Sequence, residues 1–301
     1  QQLLPCGDRP RHDSLHSPRA LRLVSAQQTP MAPASEIPMR LHDALTARYP
    51  RLVDTYDRKI GTKGAEGHAD WSAWCFAAGG IAATIASNRH AAAPETVGAG
   101  QAFEDIHRIA AIAAWRPDRY VLDLSDRPST AIETIPAQVS PPRRLRPDTF
   151  HFGAWCPFVF LGRGADGQNR GLFVYLDDPG TDNATNGPPM LIGVVVRADL
   201  ACRTVAVALG QGGLMRGIET AMKEISETRQ VDTEEAVEVD EEELEKEAVP
   251  RLGKTTDYAR EARIAATVAL FVSQADWTPP LPEAPRRTIA MAEETTVCAL
   301  A

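Results

Sequence analysis

The sequence contains few cysteines and no paired cysteine motif. Its 301 residues hold five, Cys6, Cys75, Cys156, Cys202 and Cys298, and no two of them form a Cys-x-x-Cys pair. A small disulfide framework and a structural zinc site both need closely spaced cysteines, so this spacing argues against both. A reducing, cytoplasmic setting fits such cysteine usage.

Long apolar runs are missing as well. No stretch of the chain approaches the roughly 18 consecutive apolar residues that a membrane-spanning helix needs. The arginine-rich first residues lack the apolar core of a secretory signal peptide. We therefore expect no contact with a membrane.

A broad excess of basic residues is also absent. The formal net charge is −8, and residues 232–247 alone contain ten acidic residues and one lysine, so the remaining chain sums to +1. This balance argues against extensive nucleic-acid binding and leaves only a local patch at Arg143, Arg144 and Arg146. The acidic run is typical of a solvated spacer, or of a segment that docks a basic partner.

Composition divides the chain into five parts. Residues 1–39 are rich in proline, arginine, glutamine and serine, which predicts a disordered lead or tag. We expect a main α+β domain over 40–230 and an acidic linker over 231–256. A helix over 257–277 should pack back on the main domain, and a tail follows over 278–301.

Apolar residues at helical spacing predict helices at the start of the main domain and again near its end. Proline lacks the amide hydrogen and blocks the preceding turn, so Pro50 should split the first helical stretch into a pair. The helices predicted beyond that pair cover residues 70–86, 101–115, 213–226 and 257–274.

Between these helices the pattern changes to short segments rich in valine, phenylalanine, leucine and isoleucine. Short connections favour an antiparallel arrangement. Residues 158–161 and 191–196 are apolar at odd and even positions alike, so helices should cover both faces of the sheet. The sequence thus predicts an α+β fold with a central antiparallel β-meander of about five strands wrapped by helices. These strands are 120–124, 154–161, 171–177, 190–197 and 204–209.

Two glycine-rich turns are candidates for binding phosphate. Residues 162–167 match G-x-G-x-x-G, but a strand follows where the dinucleotide fingerprint needs a helix, so a hairpin turn is the better interpretation. Residues 210–213 run from a strand into a helix, whose free amide groups point outward and suit an anion. A plain strand-to-helix turn explains the same pattern. No cofactor is predicted.

Residue types that support catalysis are present, but nothing in the sequence shows that they lie close together in the fold. Cys156 could act as a nucleophile, with His107 or His151 as the base and Asp123 or Asp177 to orient it. Cysteine is among the most buried residue types and Cys156 lies in an aromatic strand, so a packed thiol is the favoured interpretation. No histidine has His-Glu-x-x-His or comparable spacing, so we predict no metal site and assign no catalytic residue.

Six short motifs occur in a consistent order between about residue 101 and residue 280. They are Ala113–Arg116, Tyr120–Asp123, Ala154–Val159, Gly171–Tyr175, Val207–Gly213 and Ile264–Asp276. Together they resemble the family of the type V-A anti-CRISPR protein that suppresses biogenesis of the type V-A CRISPR effector nuclease. The resemblance supplies no catalytic residue.

The resemblance implies a protein of a mobile genetic element, borne by a phage or plasmid, that evades host defence. Such a protein recognises the amino-terminal region of the nascent effector and lowers its transcript and protein, so ribosome and mRNA would enter only indirectly. Relatives occur where no such effector is evident, so another bacterial protein is the alternative partner. The relative ends in a basic, aromatic tail, whereas Glu293 and Glu294 make the last residues of this chain acidic.

We therefore predict a non-catalytic protein- or peptide-recognition module. The residues predicted to contact the peptide are Trp115, Tyr120, Trp155, Phe158 and Tyr175. Trp71 and Trp74 are further candidates for an aromatic surface, or they pack the helices on the sheet. Two alternatives stay open: a nuclease or hydrolase that uses Cys156, His107 and Asp177, and a toxin–antitoxin or regulatory interaction protein.

Overall fold

The computed structural model of the chain describes most of the region from residue 33 to residue 300. The described residues are 33–66, 68, 70–92, 99–125, 139, 141–164, 167–178, 187–223, 255–275, 277–278 and 291–300. Residues Ala32–Ala301 belong to one compact unit. The predicted lead up to residue 32 and most of the predicted acidic linker lie outside the described residues.

Six helices lie within the described residues. They are α1 (Pro33–Arg48), α2 (Leu52–Gly61), α3 (Gly79–Ala92), α4 (Ala99–Trp115), α5 (residues 214–223) and α6 (Thr255–Gln274). The described strands are β1 (Tyr120–Asp123), β2 (Phe158–Arg163), β3 (Asn169–Asp177), β4 (Met190–Arg197), β5 (Cys202–Ala208), β6 (Trp277–Thr278) and β7 (Thr296–Leu300). A short 3₁₀ helix spans Pro147–Thr149.

The strands form one sheet in the order β5-β4-β3-β2-β1-β7-β6. The four strands from β2 to β5 make the predicted antiparallel meander, so the α+β fold class is confirmed. The first strand differs from the prediction because β1 lies parallel to both β2 and β7. A parallel pair needs a long crossover, and the chain between β1 and β2 is long enough to supply one.

The two faces of the sheet are covered by different parts of the chain. Side chains at alternate positions of each strand point to opposite faces, so Phe173 and Tyr175 belong to one face and Leu172 and Val174 to the other. The first face packs against α1 to α4. The second face packs against α5, α6 and the segment 139–152. The prediction that both faces are covered is confirmed.

The helix predicted over 70–86 begins only at Gly79. In the preceding turns Asp70 Oδ1 accepts a hydrogen bond from the Trp71 N–H (2.8 Å), and Trp71 Nε1 donates to the Phe76 carbonyl (3.1 Å). Such local side-chain bonds compete with helical backbone bonds. The loop 70–78 is therefore a separate element, and α3 starts after it.

Two segments outside the predicted main domain contain helix or strand. The lead does not extend to residue 39, because α1 begins at Pro33 and buries Ala34 and Ile37. Proline suits the first turn of a helix, where its missing N–H has no helical partner. Within the predicted tail, β7 pairs with β1 and buries Cys298 completely. Arg119 anchors the preceding residues by donating to the carbonyls of Ala292 and Glu293 (2.9 and 3.2 Å).

Gly193 in β4 allows α6 to approach the second face closely, which gives a test of this packing. A Cβ atom at Gly193 would lie 2.8 Å from the Cβ atom of Ala265, so Gly193→Ala forces α6 away from the sheet. We expect this variant to lower the free energy of unfolding by about 1–3 kcal/mol in urea denaturation. The control is Gly187→Ala, since a Cβ there meets nothing within 4 Å. Equal stability of the two variants would contradict the packing.

Candidate functional site

Three of the five aromatic residues predicted to contact a peptide lie in the core. Trp115 and Phe158 are completely buried, and Tyr175 is 4 % exposed. The rings of Trp115 and Phe158 both pack on Phe173, at centroid distances of 6.3 and 4.7 Å. The contact role predicted for these three residues is therefore corrected, because a buried ring has no face left for a ligand. The spacing of these residues in the sequence did not reveal their burial, because buried and exposed aromatic residues occur at the same spacing.

The other two predicted residues remain at the surface. Tyr120 and Trp155 are both partly exposed. The Tyr120 carbonyl accepts a hydrogen bond from Trp115 Nε1 (3.1 Å), so its backbone is tied to the core. The Trp155 N–H lies 3.3 Å from Asp118 Oδ2, which fixes the entry to β2.

Trp155 is part of a larger aromatic group that the sequence revealed only in part. Its ring packs on Phe76, with 5.8 Å between the centroids, and Phe76 in turn packs on Tyr56. Trp74 lies in the same loop as Phe76, and all three of Trp74, Phe76 and Trp155 are partly exposed. We call these three residues the aromatic surface. Phe76 was not predicted, because its loop was taken for a helix.

The residues of the enzyme alternative do lie on one face of the sheet, around Tyr175. His107 Nδ1 is 3.1 Å from the Tyr175 hydroxyl. Burial raises the pKa of the Cys156 thiol well above its usual value, and burial lowers the pKa of His107 to about 4. A nucleophilic cysteine needs the opposite shifts, which stabilise thiolate and imidazolium. The site around Tyr175 therefore favours packed neutral groups.

Asp177 and Asp178 attach the loop 70–78 to the end of β3. The Gly79 N–H, at the start of α3, donates to the Asp177 carboxylate, and Asp178 Oδ2 accepts from the Ser72 N–H (2.7 Å). Asp177 Oδ1 is buried and has no hydrogen-bond partner, although the residue as a whole is partly exposed. Burial, as the largest cause, raises the pKa of Asp177 to about 7. This carboxylate caps a helix and aligns no catalytic group.

The acidic residue nearest to His107 in sequence also has a structural role. Asp105 is completely buried and accepts hydrogen bonds from Arg48 (2.8 Å), Tyr49 (2.7 Å) and Arg108 (3.1 Å). Across the described ranges, no group of three or more histidine, cysteine, aspartate or glutamate side chains is arranged to hold a metal ion.

The first glycine-rich turn forms the hairpin between β2 and β3, as predicted. The Gly164 N–H donates to the Gln168 carbonyl (2.8 Å), and the Gly167 N–H donates to the Gly164 carbonyl (2.9 Å). These bonds use the amide groups of Gly164 and Gly167 within the hairpin. The turn thus has the backbone pattern of a strand connection and not that of a phosphate-binding loop.

Comparison of the chain with protein-family models finds no match, and no curated protein sequence matches it either. Within the described residues, no helix has the length and apolar character needed to cross a membrane.

The buried state of Cys156 predicts its reactivity. Thiolate is the reactive form, so at neutral pH an alkylating reagent should modify the partly exposed Cys202 well before Cys156. Mass spectrometry of the folded protein after timed alkylation measures both rates. Modification of Cys156 at the rate of Cys202, with loss of binding or activity, would support the enzyme alternative instead.

The pKa of Asp177 predicts a pH dependence of stability. A carboxyl group whose pKa rises to about 7 on folding stabilises the folded state fully below its unfolded pKa, and this contribution is lost as pH rises through about 7. Asp177→Asn removes the titration. From about pH 5 to about pH 8 the melting temperature of the wild type should therefore fall relative to that of the variant. A constant difference between the two melting temperatures over this pH range would show that Asp177 does not titrate in this way.

Proposed function

We propose that this chain is a non-catalytic protein-recognition module that binds a peptide segment of a partner at the aromatic surface. The observation that supports this most directly is the partial exposure of Trp74, Phe76 and Trp155, three large rings held on two fixed loops. Aromatic side chains on rigid elements are enriched among residues that dominate binding energy. Their rigidity reduces the entropy lost on binding.

Backbone contacts reinforce the rigidity of this surface. Asp178 accepts from Ser72 in one loop, and Asp118 accepts from Trp155 in the other. Both carboxylates belong to elements that pack on the sheet, so the two aromatic loops are tied to the same core. A surface of this kind suits a ligand whose apolar side chains lie across the exposed parts of the rings.

Peptide recognition by addition of a strand to the sheet is disfavoured at the β5 edge. The Tyr258 hydroxyl accepts a hydrogen bond from the Ala206 N–H (2.9 Å) and lies 3.5 Å from the Ala206 carbonyl. It therefore occupies the backbone groups that an added strand would need. The other edge is β6, which has two residues and offers little backbone for pairing. Recognition through side chains remains.

The resemblance to the type V-A anti-CRISPR family supplies the partner that we propose. This partner is the amino-terminal region of the nascent type V-A effector, and its recognition in the cytoplasm lowers the effector's transcript and protein. Trp155 and Tyr120 belong to the motifs that carry the resemblance, and both are partly exposed. A different bacterial protein with a similar apolar segment is the second candidate partner.

Titration with peptides tests this proposal. Amino-terminal peptides of the effector should bind the chain, and Trp155→Ala should weaken that binding at least about tenfold with little loss of folded structure. Val297→Ala is the control, because Val297 is an exposed apolar side chain on β7 and is not part of the aromatic surface. Trp115→Ala should instead unfold the protein, since Trp115 is completely buried.

Scrambled peptides of the same composition show whether binding depends on sequence. If native and scrambled peptides bind equally, the effector is not the partner, and the anti-CRISPR proposal is rejected. If Trp155→Ala and Val297→Ala bind alike, the aromatic surface is not the binding site.

A further inference from the structure

A surface pocket of about 510 Å³ lies on the second face of the sheet, away from the aromatic surface. It is bounded by the segment that contains Arg143, by the start of α5 and by the middle of α6. Three arginines, Arg143, Arg216 and Arg263, line it, and the described lining contains no aspartate or glutamate. We call it the arginine pocket.

The second glycine-rich turn, residues 210–213, lies beside this pocket, and its last residue, Gly213, lines it. The Leu145 N–H donates to the Gly212 carbonyl (3.1 Å), and the Gly210 N–H donates to the Leu145 carbonyl (2.7 Å). Gly210 and Gly212 have φ angles of +82° and +132°, which side chains other than glycine rarely adopt. A Cβ atom at Gly213 would lie only 3.6 Å from the Arg143 carbonyl. The turn thus holds the arginine segment against the start of α5.

The guanidinium groups of the pocket have unused donors. All three arginines are exposed, and none forms an ion pair with a carboxylate among the residues that the structure describes. Arg263 Nη2 instead lies 3.1 Å from the Met215 sulfur, a weak acceptor. Each guanidinium carries five N–H donors in a planar fork that suits carboxylate and phosphate oxygens. The free N–H groups at the start of α5 add a positive potential beside them.

Most of the other lining residues are apolar, and they indicate the kind of molecule to which the bound anion belongs. Leu214, Met215 and Pro142 border the arginines, and Met215 is 45 % exposed. Methionine and arginine are both enriched at protein interfaces, where flexible methionine adapts to apolar side chains. No aromatic ring is among the lining residues that the structure describes, so the bases of a single-stranded nucleic acid would find no stacking partner. This combination favours a peptide over a nucleic acid.

We propose that the arginine pocket binds the oxyanion of an acidic peptide, a glutamate carboxylate or a phosphorylated side chain with an apolar neighbour. The guanidinium groups of Arg143, Arg216 and Arg263 donate to the oxyanion, and Met215 contacts the adjacent apolar side chain. This site is independent of the aromatic surface and of the partner bound there.

Fluorescence anisotropy with labelled peptides tests the proposal in the full chain. Three peptides share one sequence and differ at a single position, which holds glutamate, phosphoserine or glutamine beside a leucine. We expect the glutamate or the phosphoserine peptide to bind at least about tenfold more tightly than the glutamine peptide, with weaker binding at high salt. Comparison of the first two shows whether carboxylate or phosphate is preferred.

Two variants locate the site. The double variant Arg216→Ala, Arg263→Ala should weaken binding of the acidic peptide at least about tenfold without lowering the melting temperature, because both side chains are exposed. Arg51→Ala is the matched control, since Arg51 is exposed on the helical layer of the first face and should bind like the wild type. An equal loss of binding in the double variant and in Arg51→Ala would indicate a general charge effect and would overturn the proposed site.

Further results of the peptide titration would overturn or support the proposal. Equal binding of the glutamine peptide overturns the proposal, and so does tighter binding of a single-stranded RNA. The chain's own residues 232–247 have the chemistry of the proposed ligand, so the titration is repeated with their ten acidic residues changed to asparagine or glutamine. Binding seen only in that variant supports the pocket with an internal competitor, and no binding in either protein rejects it.

Discussion

The sheet must be buried on both faces, and the rest of the structure depends on this constraint. Strands β3 and β4 carry apolar side chains at odd and even positions, and each unburied face would expose a large apolar area to water. Helices α1 to α4 cover one face, and α5 and α6 cover the other. The close approach of α6 depends on small residues, Gly193 on the sheet and Ala265 on the helix.

Buried carboxylates join the apolar layers at defined points. Asp105 accepts three hydrogen bonds, two of them from Arg48 and Tyr49 at the end of α1, and so fixes α1 against α4. Removing one member of a buried ionic group leaves the other charges without compensation, which costs more than the pair contributes. Asp178, which is partly exposed, holds the loop of Phe76 to the end of β3 by accepting a hydrogen bond from the Ser72 N–H. Apolar packing alone would leave these elements free to slide, so the polar contacts set the position of the aromatic surface.

The sequence predicted the elements whose pattern is local and missed those that depend on distant contacts. Strand β4 spans 190–197 as predicted, because its apolar run is bounded by proline and aspartate. Strand β7 was missed, since five residues near the end of the chain become a strand only by pairing with β1. The same difference applies to the candidate sites. The sequence identified Trp155 and the glycine turn 210–213, but the exposure of Trp155 and the position of Arg143 beside that turn result from the fold.

The two proposed surfaces differ in chemistry because different constraints leave them exposed. The aromatic surface sits where the loop before α3 meets the entry to β2, and its rings continue the apolar core outward. The arginine pocket lies where the glycine turn 210–213 brings the start of α5 beside the segment of Arg143, and its three arginines are exposed. In the two proposals, affinity at the first surface comes from desolvated area and affinity at the second from screened electrostatics. Salt should therefore separate their contributions, since it weakens only the charged contact.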